Sequence, residues 1–387
     1  MQDIWKKATE ISGLLSAIRR DIHRHPELSM QEYRTSGIVA DTLEKAGIET
    51  RRGIAGTGIT GTLQGNSPGR CLALRADMDA LPIEEKTGAE YASINKGIMH
   101  ACGHDVHTTC LLGAALILSG IRDSFPGTVK FIFQPAEEIN DGAKQMIKAG
   151  VLSDPEFEAI FGLHTAPAIP AGKIGVKEGP LMAAVDTIRI VILGEGGHGA
   201  VPDRTRDAVV AASAVVQNLQ TVVSRKTSPF DPVVVSIGTI HGGKANNVIA
   251  DRVEMSGTVR TYNAETREKM PGLLKNIIAR TCAALDTEGK LEYIFDLPPL
   301  VNDPECAGII REAALNVLRP GSVIEATPSG GGEDFAVFLE HVKGAFFFLG
   351  TGGKYEWHHP EFDVNEDCLA AGAAVLSQTA ANYLRKE

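Results

Sequence analysis

The chain has 387 residues, 43% hydrophobic and 22% charged, with a formal net charge of −10. At about 150 residues per domain this length implies two or three domains with a proper core. The acidic balance, without any run of Lys and Arg, excludes a nucleic-acid partner, and no segment reaches the roughly 18 consecutive apolar residues of a membrane span.

The N-terminal stretch MQDIWKKATEISGLLSAIRRDIHRH alternates charged and apolar side chains instead of forming a signal peptide's apolar core, so a cytoplasmic location is expected. Residues 9–24 carry Ile11, Leu14, Leu15, Ile18 and Ile22 at helical spacing, and residues 36–46 repeat the pattern before Gly47. Short apolar runs at 58–63, 71–76, 128–133 and 158–163 predict strands, the last three separated by helical stretches at 108–120 and 142–150. Runs apolar on both faces that alternate with helices indicate an α/β fold, a mostly parallel sheet with helices on both faces. Asp77 and Asp79 follow the second strand, Glu137 and Glu138 the third, His164 the fourth. Ligands of open α/β sheets bind beyond the carboxyl ends of the strands, so these residues converge on one edge.

The middle of the chain changes character. Residues 186–200 alternate like an exposed strand entering a glycine-rich turn, followed by a helix at 207–223, strands at 232–243 and 251–262, and a helix at 264–285. Strand, helix, two strands, helix, strand makes a two-layer α+β unit of around 110 residues. It reads as an insertion, 185–296, between the two parts of a catalytic domain, 1–184 and 297–387. A helix at 304–318, the glycine-rich loop SGGGEDFAVFL, the strand GAFFFLG, the loop GGKYEWHHPEFDVNED and a closing helix complete the chain.

MHACGHDVHT, residues 99–108, gathers three histidines, a cysteine and an aspartate. Such groups are costly to bury without partners. The six cysteines, at 71, 102, 110, 282, 306 and 368, are too sparse for a disulfide framework; Cys102 stands apart, with only Gly103 between it and His104. With Glu137, Glu138, His164 and either His358 or His359, they form a thiolate, imidazole and carboxylate set suited to zinc, manganese, cobalt or nickel. Five or more ligands leave room for two cations about 3.5–4 Å apart. One glutamate then binds metal while its neighbour moves a proton from water to the leaving amine. Read alone, a Glu-Glu pair is a solvated face, His164 a strand-end core histidine, and His358-His359 before Pro360 a rigid turn. The position of the pair just after the apolar strand TVKFIFQPA weakens the first of these. Asp77 and Asp79 are expected to support ligands by accepting from histidine rings. His23 and His25 are expected to be structural, and SGGGEDF lacks the lysine and helix context of a phosphate loop.

Ten ordered segments, IHRHPELS, ALRADMDALP, MHACGHDVHT, FQPAEE, GLHT, GGHGAVP, NNVIAD, GTVRTY, GGEDFA and HHPEFDVNE, span nearly the whole chain. Together they resemble the aminoacylase and carboxypeptidase-type dinuclear metallohydrolases, in the branch of hippurate hydrolases, auxin-amino-acid conjugate hydrolases and N-acetyldiaminopimelate deacetylases. The resemblance implies a zinc-exopeptidase-like catalytic domain with metal ligands Cys102, His104, Glu138, His164 and His358, and Glu137 as general base then acid. It also implies that the insertion is a lid through which a homodimer forms, with His198 stabilising the oxyanion and Asn247 and Arg260 contacting substrate. Departures from the family pattern at Asp203, Asp207-Ala208, Ala250 and Ile139-Asn140-Asp141 bear on substrate preference.

The resulting expectation is a metal-dependent amidohydrolase with two divalent ions (Mn, Zn, Ni or Co) per subunit. Its substrate is a small N-acyl or aryl-acyl amino acid, cleaved to a carboxylic acid and a free amino acid. The alternatives are a metallo-carboxypeptidase or dipeptidase, an enzyme with Cys102 as nucleophile, and a non-catalytic metal-binding protein of the same fold.

Overall fold

A computed structural model describes residues 3–386. The chain divides into two compact units: one runs to Leu181 and takes up Val301–Thr327 and the chain from Asp334, while the other comprises Met182–Leu300 and Pro328–Glu333.

The first unit is built on an eight-stranded sheet. Its centre is four parallel strands in the order Thr128–Gln134, Cys71–Asp77, Ala159–Ala166 and Lys343–Gly350. Antiparallel Gly58–Gln64 and Glu49–Ile54 extend one side. Ile174–Val176, antiparallel to its neighbour, and Val323–Glu325 extend the other. The strand Glu49–Ile54 has no apolar run to announce it: ETRRGI is an exposed edge, where charged side chains discourage pairing with another chain.

Side chains of the central strands alternate between two covered faces. Leu72, Leu74, Phe131, Phe133, Phe161 and Phe347 enter the main core with residues of the helices His104–Ser119 and Asp367–Arg385. On the opposite face Phe346 meets Phe335 of the short helix Phe335–Leu339, ring centroids 4.7 Å apart. That helix lies inside the segment expected to be a loop; the glycine run before it hides a five-residue apolar stretch. The predicted helix at 9–24 is also modified, since Ile11 separates Ile4–Glu10 from Ser12–Arg24. Ser12 and Gly13 are weak helix formers at that junction.

The helix predicted at 108–120 starts earlier, at His104. Gly103 makes the entry possible: its φ is +89°, and a Cβ there would sit 2.6 Å from Thr165 Cγ2. Nearly every residue of this helix is buried, so it is apolar on all sides after its first two turns.

Arg75 pins the sheet edge that carries the acidic residues. Fully buried, it donates from Nε to Gln134 Oε1, from Nη1 to Asp77 Oδ2 and from Nη2 to Asp334 Oδ1, each at 2.8 Å. Replacing it by Met leaves two buried carboxylates without their cation, a loss of about 3–5 kcal/mol. Urea denaturation of Arg75→Met beside the wild type measures this, and a loss below about 1 kcal/mol would contradict the assignment.

The second unit is a four-stranded antiparallel sheet in the order Val233–Gly242, Arg252–Thr261, Ala184–Leu193, Glu288–Leu297. Ile188, Ile190 and Ile192 bury against Val215 and Leu219 of the helix Ala208–Thr221 and Leu274 and Ile278 of the helix Ala264–Ala283. Among the described residues, no helix is long and apolar enough to cross a membrane.

Candidate metal centre

The four parallel strands point their carboxyl ends to one edge, and each delivers chemistry there. Asp77 ends its strand, Glu137 and Glu138 lie just beyond Gln134, His164 sits near the end of Ala159–Ala166, and His358 follows Gly350 by a loop. Cys102 and His104 bracket the start of the buried helix.

Hydrogen bonds decide which lone pairs face inward. His164 Nδ1 donates to its neighbour Thr165 O at 2.8 Å, which leaves Nε2 as an acceptor, paired with the Cys102 thiol at 3.4 Å. His104 Nδ1 faces Asp79 Oδ1 at 3.3 Å. Its Nε2 is buried with no hydrogen-bond partner, 3.7 Å from Glu138 Oε1 and 3.9 Å from Glu137 Oε2. Glu138 Oε1 is also buried without a hydrogen bond, and Oε2 lies 3.6 Å from His358 Nε2. Three overlapping groups form, each with donor atoms within 4.8 Å of one another: Cys102, His104 and His164; Cys102, Glu138 and His358; His104, Glu137 and Glu138. Soft and hard donors of this chemistry, aimed at one another with His104 Nε2 and Glu138 Oε1 buried without a hydrogen bond, fit divalent cations.

Asp77, His104 and His107 also cluster, but His107 has no lone pair to offer. Its Nδ1 donates to Asp77 Oδ1 at 2.6 Å, and its Nε2 accepts from Thr165 N at 2.8 Å. Asp77 thus steadies His107 and Arg75. Asp79 accepts from Glu137 N and Glu138 N, both at 3.0 Å, and from Ser29 Oγ at 2.6 Å, so one carboxylate holds the backbone of both glutamates and faces His104.

Of the histidine pair, His358 faces the cluster. His359 stacks on Tyr355 with centroids 4.1 Å apart and accepts from Glu361 N. His358 has φ +64°, an uncommon conformation for a side chain with a Cβ, found where surroundings enforce it. Two contacts enforce it here: His358 N donates to Ala101 O at 2.8 Å, and the Trp357 indole donates to Thr165 O at 3.1 Å.

Burial dominates the electrostatics. It pushes the Cys102 thiol well above its usual range, with the carboxylate of Glu138 adding to the effect. It also pushes Glu138 up to about 7 against the pull of His104. Burial opposes a charge on His104, yet Asp77 and Asp79 hold that ring well above its ordinary value. Burial and His107 keep His164 well below, so its ring is neutral and its Nε2 basic to a Lewis acid. A thiol raised in this way is a poor nucleophile until a cation ionises it. This argues against the reading of Cys102 as nucleophile.

His198, Asn247 and Arg260 belong to the second unit. His198 lies in the strand Gly197–His198, paired with Val248–Ile249, and Gly199 N donates to Asn247 O at 2.8 Å, so the first two are neighbours. Arg260 donates to Gly330 O at 2.6 Å within the same unit. His23 is buried between Asp105 and Glu85, and His25 Nδ1 bonds Asp21 O. No motif announces Arg75, Gln134 or Asp334; the signal in the sequence is an arginine inside an otherwise apolar strand, which requires partners.

Comparison with known proteins agrees with this chemistry. The family described as peptidase family M20/M25/M40 matches residues 73–382. The chain is 42% identical over 370 residues to the N-acetyl-L-cysteine deacetylase of Bacillus subtilis (strain 168), covering 96% of this chain and 88% of that one. It is 40% identical over 389 residues to the IAA-amino acid hydrolase ILR1-like 2 of Arabidopsis thaliana, covering 98% and 88%. A crystal structure of a dinuclear metal-binding peptidase from B. subtilis matches with a TM-score of 0.88 at 38% identity, over 98% of this chain and 100% of that one. The match over most of the chain, and relatives aligned over nearly all of it, show that the chain belongs to the peptidase family M20/M25/M40.

Proposed function

We propose that the protein hydrolyses the amide of N-acyl amino acids, releasing a carboxylic acid and a free amino acid, with two divalent metal ions at the edge of the first unit's sheet. The observation that carries this reading is the convergence of Cys102 Sγ, His104 Nε2, His164 Nε2, His358 Nε2 and the Glu138 carboxylate, with Glu137 beside them. Those five side chains would hold the ions, which when bound supply Lewis acidity to the scissile carbonyl and the attacking water. Glu137 takes the proton from that water and returns it to the leaving nitrogen, a carboxylate acting first as base and then as acid. Asp79 keeps Glu137 in place through the backbone N–H.

His198 is assigned to the developing oxyanion, and Asn247 and Arg260 to the substrate, in a lid that also forms a homodimer. The donor set suits manganese, zinc, nickel or cobalt. A reducing, cytoplasmic setting fits the six free cysteines, five of them buried.

The test is hydrolysis of N-acetyl, hippuryl and indoleacetyl amino acids, with a dipeptide beside them. The enzyme is assayed as purified, after chelation, and after manganese or zinc is added back. Activity on an N-acyl amino acid that vanishes with chelator and returns with metal, at two ions per chain by elemental analysis, is the expected result. Cleavage of the dipeptide alone would replace this reading with a dipeptidase. Chelator-resistant turnover would overturn it.

A further inference from the structure

The HPELS motif contributes none of the proposed metal ligands, yet it lies against the site. Leu28 bridges Ala80, Ala80 N donates to Glu27 O at 2.8 Å, and Ser29 bonds Asp79. Three residues past the motif stands Glu32, fully buried just before the helix Tyr33–Lys45. Its carboxylate does not cap that helix: Glu27 takes Arg34 N and Thr35 N instead. Glu32 Oε1 accepts from Met30 N at 3.0 Å and from Ala136 N at 2.9 Å, and Oε2 accepts from Thr57 Oγ1 at 2.5 Å.

Ala136 is the residue before the hydrolytic glutamate, and its φ is +57°. A left-handed alanine is disfavoured and persists only where its surroundings hold it. Here the holding groups are visible. Ala136 N donates to Glu32, and Glu137 N and Glu138 N donate to Asp79. Three successive N–H groups thus form an anion-binding concavity filled by two of the protein's own carboxylates.

We propose that Glu32 is a positioning residue for the reaction: by holding the Ala136 N–H it fixes the left-handed elbow, and so the direction in which Glu137 projects. This rests on the role given to Glu137 above. Asp79 controls the two N–H groups after the elbow and Glu32 the one at it, so loss of Glu32 frees the backbone turn without removing a metal ligand. A Gln amide keeps an oxygen to accept from Met30 N and Ala136 N and an N–H that can donate to the Thr57 hydroxyl, so Gln is the conservative replacement.

The test compares Glu32→Ala, Glu32→Gln and Thr57→Val with wild type and Glu137→Gln, using full-length metal-loaded protein and an N-acyl amino acid that wild type cleaves. Glu32→Ala is expected to lower kcat about 10- to 100-fold at unchanged metal content, with KM within about twofold. Glu32→Gln recovers most of the rate, and Thr57→Val gives a smaller loss, again in kcat alone. A folded, fully loaded Glu32→Ala with wild-type kcat overturns the proposal, as does a kcat that falls only in step with metal content. If Glu32→Ala does not fold, Thr57→Val decides: a wild-type kcat there overturns it. Should Glu137→Gln itself keep wild-type kcat, the reading of Glu137 fails first; an inactive Glu137→Gln beside an unaffected Glu32→Ala removes this inference alone.

Discussion

Glu137→Gln is expected to lower kcat about 10²–10⁴-fold while both metal ions stay bound. The amide has nearly the shape of the carboxylate and still faces His104, but it cannot take a proton from water or return one to nitrogen. Glu137 belongs to only one of the three tight donor groups around Cys102, His104 and Glu138, so its loss leaves the five proposed ligands in place. Steady-state kinetics with elemental analysis on the same sample measures both halves. A variant that keeps its rate ends the assignment, and one that loses rate and metal together makes Glu137 a ligand.

Glu138→Ala is expected to show the opposite pattern. The Glu138 carboxylate has one oxygen 3.7 Å from His104 and the other 3.6 Å from His358, so it links donors from two distant segments. Removing it is expected to weaken metal binding by more than about 100-fold, beyond what loss of an outer partner costs. Calorimetric titration with manganese or zinc measures it directly. Thermal denaturation gives a second reading: at a metal concentration 100 times Kd a bound ion stabilises the fold by about 2.7 kcal/mol, and the variant loses that gain. Adjacent glutamates with crossed phenotypes, one losing rate and the other metal, would separate proton transfer from ligation. Metal affinity unchanged in Glu138→Ala would remove it from the ligand set.

The two glutamates also show how legible the site was. Their types and their place after a buried strand are in the sequence, as are Cys102, Gly103 and His104. What the sequence does not show is the backbone geometry around them: the left-handed Ala136 and the carboxylates of Asp79 and Glu32 that accept from this turn. Glu32 lies 104 residues from Ala136, and no periodicity links them. The edge strand Glu49–Ile54 was silent because an exposed, charged edge has no apolar alternation to read.

The sequence by itself determined the alternation of strands and helices, the apolar runs of the parallel centre, and the soft and hard donors gathered near strand ends. These are local properties: a side chain's period and chemistry are set by its neighbours in the chain. Only the tertiary structure decided which donors are free. His107 is consumed by Asp77 and Thr165, His359 by Tyr355 and Glu361, while His104, His164 and His358 present Nε2 to the cluster. Arg75 and Asp334 meet across 259 residues. A lone pair is available only after every competing hydrogen bond has been made, and those partners arrive from strands and loops brought together by folding.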